Sequence, residues 1–257
     1  MRFRPCIDIH NGKVKQIIGG SLTDTHDSAK ENFVSERDAA FFADLFQKDG
    51  LTGGHVILLN PASSPFFEAT QAQALLALRT YPGGLMVGGG IRDDNASFYI
   101  ENGASHVIVT SFCFTDGRIV RENIDKMKRA VGKEHLVLDL SCRRKGDDYY
   151  IMTDRWQKYT DTPLTRELLE SLTEDCDEFL IHGIDAEGLG GGPAWGLIDL
   201  LNTVKGFPMT YAGGIAGFED IAGIRQKTEG RLDITIGSAL SLFGGQMDYR
   251  KVLEACR

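Results

Sequence analysis

Val87-Gly88-Gly89-Gly90-Ile91 recurs, nearly intact, as Tyr211-Ala212-Gly213-Gly214-Ile215 about half a chain later. Each copy is followed by a second apolar run that ends in small residues, Val107-Ile108-Val109-Thr110-Ser111 and Ile234-Thr235-Ile236-Gly237-Ser238. Glycines at the end of an apolar run let the backbone approach a ligand closely. The repeat therefore predicts a duplicated half-barrel that carries two opposed phosphate sites.

Short apolar runs alternate with amphipathic segments along the rest of the chain. The predicted strands are Phe3–Ile9, His55–Leu59, Leu85–Gly88, His106–Thr110, Leu136–Leu140, Phe179–His182, Met209–Ala212 and Leu232–Gly237. Apolar strands joined by helices indicate a parallel sheet covered on its outer face. Eight such units in 257 residues predict a (β/α)8 TIM barrel with a half-barrel repeat, as a single domain over residues 1–257. A doubly wound open sheet is the alternative, but it does not predict a half-chain repeat.

Charge and composition narrow the class of partner. A formal net charge of −8 argues against a nucleic-acid surface, and no apolar stretch approaches membrane-spanning length. The five cysteines are odd in number and lack metal-ligand spacing, so we expect reduced thiols in a cytoplasmic protein. The first strand follows Met1 at once, so we expect no signal peptide. We expect a monomer with a small-molecule substrate, no metal and no cofactor, since no GxGxxG follows the first strand.

The glycine runs predict where the phosphates bind. Gly213, Gly214, Gly237 and Ser238 follow the seventh and eighth predicted strands, where barrel phosphate sites are frequently built. The helix start after each strand is expected to aim free N–H groups at the anion. The counterparts on the third and fourth strands are Gly89, Gly90, Thr110 and Ser111. A tight turn would explain one such pair, but four correlated sites favour two phosphate sites.

Two carboxylates also stand half a chain apart. Asp8 closes the first predicted strand and Asp139 lies near the end of the fifth, so both would project into one barrel mouth. A carboxylate pair across a bound substrate can act as general base and general acid. The alternative is structural: Asp8 would cap the Asn11-Gly12 turn, and Asp139 would pair with Arg143 or Arg144.

Other polar residues near the strand ends have weaker signals. Arg92 either clamps a phosphate or carboxamide or is a solvated residue at a helix start. Trp156 either stacks on a planar ring or pins its loop to the barrel. His182 ends the sixth strand and faces the mouth, although a strand-end histidine is more often structural. Further candidate substrate contacts are Gly19, Gly20, Arg143 and Gly188.

Two connections are longer than usual for a βα unit. They run over Gly19–Val34 and Ser141–Thr160. Long loops on a compact scaffold are usually lids or binding loops. Insertions tolerated at the surface are the alternative.

Over essentially its whole length, the chain resembles the isomerase family of histidine biosynthesis, which converts the formimino-aminoimidazole-carboxamide ribotide from aldose to ketose. The resemblance rests on the opening Cys6-Ile7-Asp8-Ile9-His10-Asn11-Gly12-Lys13-Val14 and on the runs VGGGIR, VIVTS, YAGGI and ITIGSAL. The runs DLSCR and EGLGGG, with the loop around Trp156, are more similar to the fungal-type branch than to the common bacterial one. The opening and the glycine runs are shared with the sister cyclase that makes imidazole glycerol phosphate.

The resemblance implies a TIM barrel of the ribulose-phosphate-binding type and a bisphosphorylated substrate. It also implies an Amadori rearrangement that needs an acid at the ring oxygen and a base at C2. It implies Asp8 as the base, Asp139 as the acid, Trp156 stacked on the imidazole carboxamide and Arg92 in contact with the substrate.

Three positions depart from the family pattern. Gly183 replaces a threonine after the sixth-strand histidine, and Leu58 replaces a second-strand aspartate, leaving Asn60 as the nearby polar residue. Asp139 stands in Asp-Leu-Ser-Cys-Arg rather than the shorter Asp-x-Arg. The first two departures are the support for a non-catalytic phosphosugar-binding barrel. The features expected for the cyclase at the sixth strand are also missing, which favours the isomerase.

Overall fold

The computed structural model describes residues 1–17, 31–154, 156–186 and 191–257. In these ranges eight parallel strands form the barrel: β1 (Cys6–His10), β2 (Gly54–Leu58), β3 (Leu85–Gly88), β4 (Val107–Val109), β5 (Leu136–Asp139), β6 (Glu178–His182), β7 (Met209–Ala212) and β8 (Asp233–Thr235). Each strand pairs in parallel with the next. The ring closes where Phe3 forms a parallel bridge with Ile234 and the Arg4 N–H donates to the Ile234 carbonyl at 2.8 Å. The predicted TIM barrel is confirmed, and the predicted bounds of β3 and β7 are those observed.

A helix follows each barrel strand and covers its outer face. The helices are α1 (Ala39–Lys48), α2 (Phe67–Thr80), α3 (Ala96–Glu101), α4 (Arg121–Val131), α5 (Arg166–Leu172), α6 (Trp195–Leu201), α7 (Phe218–Thr228) and α8 (Tyr249–Cys256). In α2, Ala74 and Leu78 are buried one turn apart and pack toward the sheet. The outward-facing strand residues Val56, Val87 and Ile181 are fully buried in this sheet–helix layer, which is the main hydrophobic core.

A second, smaller apolar cluster fills the inside of the barrel. Strand alternation sends its members inward, while their neighbours along the strand face the helices. The cluster consists of Met86, Ile108, Val137 and Leu180, with Ile57 packed against it. The barrel is therefore a packed core with chemistry confined to its ends.

Charged residues close the end of the barrel where the strands begin. The buried Arg4 guanidinium places Nη2 3.0 Å from Glu178 Oε2 and Nε 2.9 Å from Asp233 Oδ2. Thr210 Oγ1 also donates to Glu178 Oε1 at 2.6 Å. A buried arginine with two carboxylate partners satisfies its charge, so this face is structural.

Both long connections contain extra strands. After β1, Lys13–Ile17 pairs antiparallel with Glu31–Val34, and residues 18–30 lie outside the described part. After β5, a three-stranded antiparallel sheet is formed by Cys142–Lys145, Asp148–Thr153 and Lys158–Pro163. The second segment is thus a small folded unit beside the barrel mouth. In the part of the chain that the structure describes, no helix is both long and apolar enough to cross a membrane.

Candidate active site

The predicted acid and base sit at the end of the barrel where the strands finish. Asp8 lies in β1, and Asp139 and His182 are the last residues of β5 and β6. All three are half-buried, whereas the residues around them in these strands are buried. Strand ends in a parallel barrel point into one shared mouth, so these side chains surround a common space.

Asp8 accepts a hydrogen bond from an uncharged side chain on the extra strand Lys13–Ile17. The Gln16 amide Nε2 donates to Asp8 Oδ2 at 3.2 Å and lies 3.6 Å from Cys6 Sγ. Gln16 is only 4 % exposed, and an amide donor stabilises the ionised carboxylate without adding a competing charge. The sequence patterns did not single out Gln16. The available signal was its place on the same strand face as the buried Val14, where an apolar residue is expected.

Asp139 is held by Ser141 in a comparable way. The Ser141 backbone N–H donates to Asp139 Oδ1 at 2.8 Å, and the Ser141 hydroxyl donates to the same oxygen. That hydroxyl oxygen also accepts the His182 backbone N–H at 3.1 Å and lies 3.0 Å from His182 Nδ1. The Trp156 ring lies over His182, with 5.0 Å between the ring centroids and 49° between the planes. Ser141 thus joins Asp139 to His182, and Trp156 joins this group through the His182 ring.

The structural alternative for Asp139 is wrong. The arginine that follows it pairs elsewhere, since Arg143 Nε lies 3.1 Å from Asp185 Oδ1. The Arg144 backbone N–H donates to the other oxygen of Asp185 at 2.7 Å. Asp185 therefore anchors the segment after β5 to the turn after β6, which leaves Asp139 at the mouth.

The turn after β1 is held by a side chain from the second strand's loop. The Asn11 backbone N–H donates to Asn60 Oδ1, and Asn60 Nδ2 donates to Asn11 Oδ1, both at 2.8 Å. Thr70 Oγ1 donates to Asn60 Oδ1 at 2.7 Å. Asn60, which is 3 % exposed, has a structural role here.

Buried histidine His55 adds to the polar interior. It comes from β2, is 4 % exposed, and its ring centroid lies 6.1 Å from that of His182. Burial, followed by the nearby His182 and Arg4, lowers the pKa of His55 from the usual 6.5 to about 3. His55 is therefore neutral near pH 7, because desolvation disfavours its charged form.

The repeated glycines occupy equivalent positions in the two half-barrels. Gly89 and Gly213 have φ of 102° and 112°, a region that favours glycine. A Cβ on Gly89 would lie 2.1 Å from the Leu58 carbonyl oxygen, and a Cβ on Gly213 would lie 2.7 Å from that of Gly183. Each glycine thus passes directly over the end of the preceding strand. The half-barrel repeat is visible in the backbone itself.

The predicted site after β7 and β8 is a cavity of about 290 Å³. It brings together all four predicted residues, and Thr235 and Gln246 also line it. The predicted residues are Gly213, Gly214, Gly237 and Ser238.

The equivalent site after β3 and β4 is partly covered. Ser111 Oγ accepts the Asp154 backbone N–H at 3.2 Å, which ties the segment before Trp156 to this strand end. The exposed Arg92 places its guanidinium 5.2 Å from the centroid of the Phe112 ring. Gly90 has a φ of 70° and open space on the side of its missing Cβ. Gly19, Gly20 and Gly188 lie outside the described residues.

The sequence predicts free backbone N–H groups where the helices after β3 and β7 begin. This is wrong for some of these groups, because they already donate to side chains. At the β7 site the Ala216 and Gly217 N–H groups both donate to Asp220 Oδ2, at 2.9 and 3.1 Å. At the β3 site the Arg92 N–H donates to Asn95 Oδ1 at 2.9 Å. A short polar side chain caps each turn, so an anion there depends on the strand-end glycines more than on these N–H groups.

Two departures from the family pattern have a physical explanation. A Cβ on Gly183 would lie 3.0 Å from Tyr211 Oη and 3.2 Å from Ala194 Cβ, so a larger residue is crowded there. Leu58 is 3 % exposed and belongs to the sheet–helix core, so it faces away from the mouth. Neither departure removes a side chain from the group formed by Asp139, Ser141 and His182.

Comparison with known proteins agrees with this geometry. The family model described as histidine biosynthesis protein matches residues 2–248. A protein from Medicago truncatula is 49 % identical over 98 % of this chain and 81 % of its own length. Proteins from Neurospora crassa and Saccharomyces cerevisiae are 44 % and 38 % identical, over 95 % and 100 % of this chain and 94 % and 97 % of their own lengths.

All three relatives are named 1-(5-phosphoribosyl)-5-((5-phosphoribosylamino)methylideneamino) imidazole-4-carboxamide isomerase, and the Medicago protein is also called chloroplastic. The resemblance predicted from the sequence, including its similarity to fungal proteins, is confirmed. The chain belongs to the histidine biosynthesis protein family.

Proposed function

We propose that this chain is an aldose–ketose isomerase that rearranges N-(5-phosphoribosylformimino)-5-aminoimidazole-4-carboxamide ribonucleotide to its phosphoribulosyl form in histidine biosynthesis. The observation that carries the proposal is the pair Asp8 and Asp139 at one barrel mouth, each held by a neutral donor. The relatives that align over 95 % and 98 % of this chain have isomerase names, which favours this activity over the cyclase.

The reaction needs one proton donor and one proton acceptor. Asp139 gives a proton to the ring oxygen as the aminoaldose opens to an imine, and Asp8 takes the proton from C2. The resulting enolamine gains a proton at C1 while its C2 hydroxyl loses one, and it becomes the aminoketose, so no net proton or electron is gained. We assign Asp8 as the base by its resemblance to the family. No cofactor is required for these steps.

We propose that the two glycine sites hold the two phosphates of the substrate. The cavity that contains Gly213 and Gly237 takes one, and the strand ends at Gly89 and Ser111 take the other. Because the two sites lie on opposite sides of the barrel, they bind the two ends of the substrate. The reacting carbons are then held between the acid and the base. Gly214, Ser238, Gly90 and Thr110 belong to the same two sites.

Aromatic and basic groups would orient the rest of the substrate. Trp156 leaves its contact with His182 to stack on the imidazole carboxamide. His182, Arg92 and Arg143 supply polar contacts, and Arg92 acts from the loop after β3. Gly19, Gly20 and Gly188 complete the proposed set.

The decisive experiment measures turnover of the aminoaldose by purified protein and by the variants Asp8→Asn and Asp139→Asn. Both variants are expected to lose at least about a hundredfold in kcat, the usual contribution of a general acid or base. They should still bind a phosphorylated product analogue. Asp199→Asn is a matched control, because Asp199 is an exposed carboxylate on α6 that pairs with Lys227. Normal turnover by either active-site variant would refute the two-carboxylate mechanism.

A parallel assay separates the isomerase from the cyclase. The aminoketose plus ammonia should yield no imidazole glycerol phosphate with this protein. Formation of that product would replace the isomerase proposal with the cyclase, and binding without any turnover would favour a non-catalytic phosphosugar-binding barrel.

We also propose that residues 1–257 act as a single-domain monomer in the cytoplasm. Size-exclusion chromatography with light scattering tests the monomer. A fluorescent fusion in the source cells tests the location, since the Medicago relative is named as chloroplastic.

A further inference from the structure

We propose that Ser141 is a positioning residue that joins Asp139 to His182 in a proton relay serving the isomerisation. The inference rests on the proposed function, because it gives a route by which the acid Asp139 regains its proton. The hydroxyl of Ser141 lies within hydrogen-bond distance of Asp139 Oδ1, His182 Nδ1 and the His182 backbone nitrogen.

The hydrogen-bond capacity of a serine hydroxyl limits how these contacts are made. It has one proton to donate and two lone pairs that accept. One lone pair takes the His182 backbone N–H at 3.1 Å. When Asp139 is ionised, the single hydroxyl proton points to Oδ1, so the remaining lone pair must accept a proton from His182 Nδ1. When Asp139 is protonated, the two side-chain bonds run in the opposite direction.

The relay follows from these two arrangements. After Asp139 has protonated the ring oxygen, the neutral His182 ring exchanges its proton through solvent from Nε2 to Nδ1, which then donates to Ser141, and Nε2 takes up one further proton from solvent. His182 Nδ1 then passes its proton to Ser141 Oγ, while Ser141 passes its own proton to Asp139 Oδ1. The relay ends with a protonated Asp139, an intact serine hydroxyl and a neutral His182, so one proton has been carried from solvent to the acid.

Backbone geometry fixes Ser141 at this position. Cys142 forms a parallel bridge with Gly183, which aligns the segment after β5 with the turn after β6. Ser141 is fully buried, and its carbonyl accepts the Met152 N–H at 2.9 Å. The hydroxyl therefore has little freedom to leave its three partners. Gly183 has no side chain, so it offers no competing hydroxyl. A Cβ added at this position would be crowded by Tyr211.

Two other titratable groups beside the relay, His55 and Cys142, are held in their neutral form. Burial lowers the pKa of His55 to about 3, so His55 stays neutral beside His182. Burial, together with the charges of Asp139 and Asp185, raises the pKa of the Cys142 thiol, so it stays protonated. Asp185 is paired with Arg143. Near neutral pH, His55 and the Cys142 thiol therefore do not exchange a proton with the relay.

The test is a double-mutant cycle on aminoaldose turnover with Ser141→Ala, His182→Gln and the double variant. A hydrogen bond to a charged group is worth roughly ten- to a hundredfold, so each single variant should lose about that factor in kcat. The KM of Ser141→Ala should stay within about twofold of wild type, because the serine acts through Asp139. The double variant should be no slower than the slower single variant, since both break one relay.

The pH profile gives a reading that a merely structural serine would not change. The plot of wild-type kcat against pH should contain a pH-dependent region that is absent from Ser141→Ala, from His182→Gln and from the double variant. Thr160→Ala is the matched control, because Thr160 is a buried hydroxyl in the same segment that donates to the Ile151 carbonyl at 2.8 Å. Its kcat should stay within about twofold of wild type.

The outcomes separate the relay from the proposed function. A wild-type protein that does not turn over the aminoaldose refutes the proposed function. Wild-type turnover with an unchanged kcat in Ser141→Ala, or with losses that multiply in the double variant, refutes the relay alone. If Ser141→Ala does not fold, Ser141→Cys takes its place in the cycle, and its weaker S–H donor should give an intermediate kcat.

Discussion

Acid should destabilise this protein through His55 in a way that a single variant can isolate. The ring is 4 % exposed inside the barrel, and its pKa falls from the usual 6.5 to about 3 on folding. A group whose pKa is lower in the folded state adds stability that is fully present above its unfolded pKa. That stability is lost as the pH falls from about 6.5 toward 3, because only the unfolded chain takes up the proton.

The size of the effect follows from the two pKa values. At about pH 5 the unfolded histidine is almost fully protonated, while the folded one is still neutral. The free energy of unfolding should then be lower than at neutral pH by about 2 kcal/mol, at 1.36 kcal/mol per pH unit below the unfolded pKa. This is a large fraction of the stability of a typical domain.

Urea unfolding at about pH 7.5 and about pH 5 measures the loss, in wild type and in His55→Gln. The glutamine cannot take up a proton, so the variant should lose about 2 kcal/mol less than wild type between the two pH values. Other titrating groups are common to both proteins and cancel in the difference. Equal losses in the two proteins would refute the assignment of a buried, neutral His55.

Three further predictions concern the phosphate site, the closed end of the barrel and the tryptophan. Gly213→Ala should raise KM at least about tenfold, because its Cβ would lie 2.7 Å from the Gly183 carbonyl oxygen. Gly206→Ala is the control and should not change KM, because Gly206 has a similar positive φ of 75° but open space around its missing Cβ. Arg4→Met should lower the free energy of unfolding by about 3–5 kcal/mol in urea titrations, because the buried Glu178 loses its arginine partner and Asp233 keeps only Arg2. Trp156→Leu should weaken binding of the product analogue in calorimetry by about five- to tenfold, the value of one lost aromatic stack. Unchanged affinity would show that Trp156 packs against His182 and does not stack on the ligand.

Much of the architecture was readable from local patterns. Period-two and period-3.6 hydrophobicity depends on the chain's own geometry, so Leu85–Gly88 and Met209–Ala212 were predicted with their observed bounds. The paired glycine runs indicated duplication, and their φ values of 102° and 112° agree in the two halves. The placement of Asp8 and Asp139 at one mouth followed from the barrel, since all parallel strands finish at the same end.

Side-chain partners required the folded chain. Whether Asp139 pairs with an arginine or with Ser141 depends on where Asp185 lies, and Asp185 is more than forty residues away in the sequence. Gln16 becomes the partner of Asp8 through the pairing of the extra strand after β1, which no local pattern predicts. The sequence alone determined the barrel, its repeat and the family, because these rest on backbone periodicity and on residues close in the chain. Only the tertiary structure decided how Asp8, Asp139 and His182 are hydrogen-bonded, because those contacts join strands that meet only when the barrel closes.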